Sequence, residues 1–587
     1  MIFIKFNRGF SMISSWKSTC FCMPMAVFLC LPVMALATVP DTGTILREQK
    51  QAQPPLPERL PKPEEMTEHP AVKGTSVKVL VKGFRFTGIE GIATDSELQI
   101  LVANAIGKEL TISELQAIAG TVTNYLREKG FMLAKAYLPK QEISDGIVEI
   151  AVIAGRIEGR TNIRVKQPSR IHDNVLKDMA DSGVHNGEVV SSKNLERSVM
   201  LLNDIPGITA HATLEKGSSP GTTKVVIDAE EGPLISGSIT GDNFGDRYTG
   251  LWRGTGQATV NDALGIGDQL SFVLTGAENL FQGRVGYSLP IGSSGLRGNL
   301  SYTGLYYELG GDLKSLNASG RADTIAVGAS YPFLRSRNVS MWGGLSYEYR
   351  LLTDDYLGVK SRDREIHSGT ADLSATLYDG FNGGGLTSIR LAIGTGDVDL
   401  SGVAVDAVYD AATAKTAGSY FKFDYTLARL QRLTDAFTLY AAINGQLAGS
   451  NLDSSEKIIV GGPNGIRSYP VGEGNGDEGH TITAELRYDI PLRSAIGTVQ
   501  LASFFDTGFV TLHKDPWPNS VNTATGKNDY WLSGAGLGVN MAKTGYYSLR
   551  TSWAHTIDDN PGRSTTGKNA DNLSEDDRFW IYGVFWF

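Results

Sequence analysis

HTITAELRYDIP, residues 480–491, is the stretch on which the fold turns. Ile482, Ala484, Leu486 and Tyr488 alternate with Thr483, Glu485 and Arg487, and Pro491 ends the run. A period of two sorts residues onto the two faces of a β-strand, and here one face is apolar while the other carries charge. The texture recurs upstream. Leu270, Phe272 and Leu274 alternate with Gln269, Ser271 and Thr275. Leu345, Tyr347 and Tyr349 alternate with Ser346, Glu348 and Arg350. Phe437, Leu439, Ala441 and Ile443 alternate with Thr438, Tyr440, Ala442 and Asn444. From about Leu234 to Phe587 this pattern displaces helical periodicity.

A soluble sandwich alternates as well, with its apolar face inward. Three features favour a membrane barrel. Tyrosines precede Pro-containing turns at Tyr287–Pro290, Tyr331-Pro332 and Tyr488–Pro491, as in an interfacial girdle. The 44 residues from Tyr287 to Tyr331 suffice for two strands and one long outer loop. Residues 579–587, FWIYGVFWF, place Phe579, Phe585 and Phe587 on one aromatic strand. Such a strand risks a large exposed patch in water, whereas in lipid it suits the closing strand of a barrel. Roughly 350 residues at about 20–22 per strand and loop give about 16 antiparallel strands around an aqueous channel.

The rest of the chain reads as a series of segments. Residues 1–37 have the form of an export signal, with Lys5, Arg8 and Lys17 ahead of an apolar run and Ala35-Leu36-Ala37 as a small-x-small cleavage site; Met12 and Met23 are alternative starts. All three cysteines, Cys20, Cys22 and Cys30, lie there, so the mature chain has no thiol for a disulfide, a nucleophile or a metal. Loss of that segment makes the net charge of −9 more negative, which argues against a nucleic-acid partner. No later stretch has the apolar length of a transmembrane helix.

Residues 38–53 suit one polar helix, capped by Asp41 or Thr42, that buries little. Six prolines in 54–76 make an extended linker. Residues 77–160 form an α+β module of order β-α-α-β-β: a strand at 77–86, helices at 95–106 and from Thr111/Ser113 to Gly130, and strands at 131–138 and 147–153. Residues 161–231 repeat the pattern, with a strand at 163–165, helices at 171–179 and 194–203, and strands at 208–214 and 223–229. Residues 232–587 are the barrel.

Within the barrel, residues 461–479, GGPNGIRSYPVGEGNGDEG, are too long and polar to lie on lipid. Arg467 is the one basic residue in the stretch. Folded into the lumen, it needs an acid, because an unpaired buried charge is costly. Asp506 is the best candidate. It shares a strand face with Phe504 and Gly508, and Gly508 permits close backbone approach. The stretch GEGNGDEG, residues 472–479, reads as loop flexibility, and His480 as part of a solvated loop.

These pieces resemble the outer-membrane transporters of two-partner secretion, the haemolysin-activator and filamentous-haemagglutinin-transporter family. The likeness runs through PDTGTILREQ, the Pro-rich segment, YLREKGFMLAKAYLPKQEISDGIVEIAVIAGRI, LERSVMLLNDIPGITAHATLEKGSSPGTTKVVI, GPNGIRSYP and FFDTG. Ile466, Arg467, Ser468 and Tyr469 match the family's V-R-G-[YF] loop tip, with Ser468 for its glycine. Phe504, Asp506 and Gly508 match its F-x-D-x-G strand. The resemblance implies two periplasmic POTRA modules that capture a large exoprotein (an adhesin, a haemolysin or a toxin) by strand addition. It also implies a sixteen-stranded barrel in the outer membrane of a Gram-negative bacterium, with the first helix as plug and no cofactor. A barrel-assembly insertase, a barrel hydrolase and a porin are the alternatives. Against the hydrolase, none of the eight histidines forms a short metal-ligand spacing, and no G-x-S-x-G elbow is present.

Overall fold

Backbone groups in lipid need partners within the protein, and the strands of this chain meet that demand by closing on themselves. Sixteen strands, from Ile235–Asp242 to Asp577–Trp586, form one closed antiparallel barrel. The computed structural model describes residues 39–50, 78–143, 145–166, 169–491 and 496–587. The expected export signal at 1–37 and linker at 54–76 lie outside the described residues.

The alternation sets the two surfaces of the barrel wall. Leu345 and Tyr347 face outward, whereas Arg350 of the same strand is buried in the lumen. Ile482 and Leu486 face outward, and Glu485 and Arg487 inward. An apolar exterior around a polar interior inverts the arrangement of a soluble domain. Tyr331 and Tyr488 sit at strand ends on the module side and are packed by Phe333 and Phe437 at 5.3 and 5.0 Å. The last strand shows Phe579, Phe585 and Phe587 to the exterior and turns Trp580 and Val584 inward.

The seam pairs the first strand with the last, Ser238 with Trp586 through Asp242 with Tyr582. Two further contacts extend it. Gly237 and Phe587 exchange backbone hydrogen bonds at 3.0 Å. At the other end, Asn243 Nδ2 donates to Phe579 O and its Oδ1 accepts from Ile581 N, both at 2.8 Å. An asparagine side chain thus stands in for a further strand residue.

Two α+β modules precede the barrel. In the first, helices Asp95–Val102 and Ile112–Glu128 each open with a capping box, Thr94 with Glu97 and Thr111 with Glu114. They pack Leu98, Leu115, Val122 and Leu126 against Val148 and Ile150 of strand Ile147–Ile153. The strand expected at 77–86 is two strands, Lys78–Leu80 and Gly83–Thr87. Val81 N and Lys82 N between them bond to Lys108 O and Gly146 O instead, and Lys78–Leu80 pairs with Glu109–Thr111, a strand the periodicity did not show. The helix expected to reach residue 106 ends at Val102 in a 3-10 turn, Ala103–Ala105. Of residues 131–138 only Lys135–Tyr137 is strand.

In the second module, helices Asp173–Asp181 and Ser192–Asn203 cover strands Asn162–Val165, Ile208–Lys216 and Thr222–Glu231. Its sheet begins earlier than the boundary read at residue 160, because Arg156–Ile157 pairs with Thr222 and Thr223. This module is docked on the barrel turns. Arg335 forks onto Asp204 at 2.7 and 2.8 Å, Arg197 Nη1 donates to Pro332 O at 2.9 Å, and His172 N to Gly265 O at 2.9 Å.

Candidate functional site

Residues 449–477, between strands Phe437–Ala448 and Glu478–Asp489, turn back into the lumen. Their apolar side chains hold them there. Val460, Ile466 and Tyr469 are buried against Val510, Tyr530 and Leu532 of the wall. Gly508 permits the approach, since a Cβ on it would lie 2.6 Å from His480 O and 2.9 Å from Ile466 Cδ1. Ser468 also fits because of a wall glycine: a Cβ on Gly534 would lie 2.0 Å from Ser468 Oγ. The residues read as flexible are fixed. Asp477, fully buried, accepts from Leu452 N at 3.0 Å and pairs with Lys457 at 2.8 Å. His480 lies within a strand rather than a solvated loop, with Nδ1 2.7 Å from Tyr425 OH.

Arg467 sits at the tip of this loop. Its Nε and Nη2 grip Asp506 Oδ2 and Oδ1 at 2.8 and 2.9 Å, and its backbone N also donates to Oδ2. Nη1 donates to Glu485 Oε2 at 2.7 Å, so each guanidinium nitrogen has a carboxylate. The Phe504 ring covers the group, with its centroid 3.3 Å from Cζ. Trp580 Nε1 donates to Arg467 O at 2.7 Å. Glu485 in turn accepts from Arg487 Nε at 2.8 Å, and Arg487 lies over Tyr440. The motif reading named Arg467 and Asp506 but missed Glu485, Arg487 and Trp580. Glu485 and Arg487 were already on the polar face of the opening stretch, and that shared face was the available signal.

The second occupant of the lumen is helix Thr42–Lys50. Asp41 caps it, accepting from Thr44 N and Thr44 Oγ1, both at 2.9 Å. The expectation that so polar a helix buries little is overturned: Ile45 and Leu46 are buried together with Thr42, Gly43 and Glu48. The cause is the mixed lining of the lumen: Ile45 and Leu46 join an apolar cluster with Leu280, Leu305 and Leu352, while wall and loop groups meet most of the helix's polar ones. Arg364, on strand Val359–Asp379, joins Asp41 of the helix cap at 3.0 Å, Asp453 of the inner loop at 2.9 Å and Asp354 of the neighbouring strand at 2.6 Å. Asp354 also accepts from Thr42 N at 2.7 Å and from Tyr307 OH at 3.0 Å. Further along the helix, Arg47 Nε donates to Lys457 O at 2.8 Å and Lys50 pairs with Glu348 at 3.0 Å. A cavity of about 470 Å³ lies beside the helix, lined in part by Thr44, Glu48, Asp246 and Gly472.

The arrangement is a barrel lumen occupied by an inner loop and a short helix, with an α+β module docked on the barrel turns. Comparison with known proteins agrees with that architecture. The family model described as haemolysin secretion/activation protein ShlB/FhaC/HecB matches residues 221–541, and that of the ShlB-type POTRA domain matches residues 79–155. The heme/hemopexin transporter protein HuxB of Haemophilus influenzae strain 86-028NP is 28% identical over 569 residues, covering 95% of this chain and 97% of its own. The outer membrane transporter CdiB of Dickeya dadantii is 22% identical over 455 residues, 74% of this chain and 77% of its own. Among solved structures, CdiB from Escherichia coli superposes with a TM-score of 0.69 at 18% identity, covering 93% of this chain and 96% of its own. With the family model spanning more than half of its length, the chain belongs to the haemolysin secretion/activation ShlB/FhaC/HecB family and is an outer-membrane two-partner secretion transporter, its POTRA modules in the periplasm.

Proposed function

We propose that helix Thr42–Lys50 is a removable plug, that the inner loop pinned by Arg467 and Asp506 is a fixed part of the pore, and that one large exoprotein leaves through the space the plug vacates. The observation that supports this reading is the helix itself. It sits in the lumen through hydrogen bonds and ion pairs to strands and inner loop and through the buried Ile45 and Leu46, and none of its residues joins the strand ladder. Such contacts exchange with water at small net cost, unlike a strand ladder. The modules select the cargo, and the barrel carries out no catalysis. The similarity to HuxB, named as a heme/hemopexin transporter protein, supports adding a heme- or hemopexin-related protein to adhesins, haemolysins and toxins as the cargo class.

The insertase reading asks for a seam that opens sideways into lipid. The Asn243 contacts, which lengthen the pairing of first and last strands, favour export through the lumen instead. The test compares secreted and outer-membrane proteins of the host with and without this gene. Loss of one very large secreted protein is expected. A general fall in barrel proteins would overturn the reading in favour of assembly. Deleting residues 39–50 is expected to raise the ion conductance of the purified chain in planar bilayers.

A further inference from the structure

The plug carries one group that its seat leaves unsatisfied. Glu48 is 6% exposed, and neither carboxylate oxygen meets a hydrogen-bond donor or touches solvent. The charged groups around it do not supply one. Arg253, on strand Arg253–Asn261, directs Nε to Asp242 at 2.9 Å and Nη1 to Gln49 at 3.0 Å. Asp246, in the loop between the first two barrel strands, is buried, accepts from Tyr248 N at 2.7 Å and, its own carboxyl pushed up to about 6 by burial, adds negative charge above that pH. From the inner loop, Gly472 approaches so closely that a Cβ on it would lie 3.3 Å from Glu48 Oε1. The next residue, Glu473, is occupied by Asn560 Nδ2 at 2.9 Å and Ala570 N at 2.7 Å. Farther out, Arg578 is held by Asp571 and Arg247 by Asp312, each at 2.6 Å. On the plug's own helix, Asp41 is paired with Arg362 and Arg364, and Lys50 with Glu348.

A buried carboxylate without protein donors is disfavoured against its neutral acid. Burial first, and then the Asp246 charge, push the Glu48 carboxyl well above the ordinary range, with Arg253 opposing them. We infer that the seated plug holds Glu48 as a neutral acid and that unseating releases its proton to water, so that pH sets how readily the pore opens. The inference rests on the plug reading given above. Its sign follows from the two states of one carboxyl. Below the ordinary value of about 4.3 both states are protonated, and seating is at full strength. Above it the free helix loses its proton while the seated helix keeps it, so the closed-to-open ratio falls by up to about tenfold per pH unit until the seated carboxyl also ionises. The plug is therefore weakest toward neutral and alkaline pH.

The purified full chain in planar bilayers, in fixed KCl between about pH 5 and 8, tests this. Opening frequency of the native chain is expected to rise with pH. Glu48→Gln is expected to open less often than the native chain at neutral pH and to lose most of the pH slope. Glu48→Met is read in the same way if the glutamine variant fails to insert. A glutamine variant that keeps the native slope, or opens more often, overturns the inference. So does closure by added CaCl2 at constant pH that Glu48→Gln abolishes, since the occupant of the site would then be a metal cation. The chain lacking residues 39–50 separates the two levels. If its conductance matches that of the native chain, the plug reading falls. If its pore stands open while Glu48→Gln behaves as native, the proton inference alone falls.

Discussion

Arg467 and Arg364 are both buried in the lumen among carboxylates, yet they hold their surroundings differently. Arg467 takes its acids from Asp506 and Glu485 on two adjacent strands, uses all three guanidinium nitrogens and is roofed by Phe504. Arg364 gathers Asp41, Asp354 and Asp453 from three separate parts of the chain, and its Nε has no partner. Glu48 lies unsatisfied on the helix that Arg364 helps to seat. A fully satisfied buried network is rigid, whereas a partly satisfied one stores the cost of its missing bonds. The difference is the one the proposed roles require, a loop that stays and a helix that leaves.

The largest effect is expected where that contrast is broken at its rigid end. Arg467→Ala leaves Asp506 buried without its cation and Glu485 with Arg487 alone, a loss of about 3–5 kcal/mol. Export should fail while membrane insertion largely persists, read by the cargo in the medium and by the heat-modifiable barrel band on gels; full export by both Arg467→Ala and Asp506→Ala would remove the role given to the pair. Arg364→Met should do less. Asp41 keeps Arg362, whereas Asp354 and Asp453 keep only the neutral donors Thr42, Tyr307 and Ser455, so about 3 kcal/mol, the low end of the same range, is expected. Its readout is a raised basal conductance with the barrel's heat resistance unchanged, which sharpens the distinction between plug and wall. Asn243→Ala removes two seam hydrogen bonds and is expected to lower the heat resistance of the barrel by a comparable or smaller amount, with conductance unaltered.

The smallest effect lies outside the membrane. Glu158 of the second module accepts from Ser218 and from Thr222 Oγ1, and these bonds, Ser218 first, hold its carboxyl at about 2. A depressed carboxyl contributes stability that is present above its ordinary value near 4.3 and is lost as pH falls through about 2. Thermal melts of the native chain and of Glu158→Gln in that acid window should converge, while at neutral pH the variant melts slightly earlier.

Much of the barrel was legible because a lipid-facing strand writes its environment at every second residue, as Leu345, Tyr347 and Tyr349 do. Arg467 and Asp506 were legible because a buried charge demands an opposite one. The plug's seat was not. Its ion pairs join Asp41 to Arg364 and Thr42 to Asp354, partners more than three hundred residues apart that no local pattern connects. The short strand Glu109–Thr111 escaped for the converse reason: three residues show no period. The flexibility read into residues 472–479 came from their glycines. Gly474 is instead the residue that fits at φ +63°, where a Cβ would lie 2.4 Å from Val460 Cγ2.

The bond from Trp580 to Arg467 O joins the last strand to the tip of a loop more than a hundred residues earlier. A final strand that pairs before the loop is seated closes without that bond. The tryptophan then makes completion conditional on correct interior furnishing: a barrel that shuts around an empty interior forgoes this bond and the apolar contacts beneath it. Chains sampled during assembly should accordingly gain protease protection of residues 449–477 no later than they gain heat resistance.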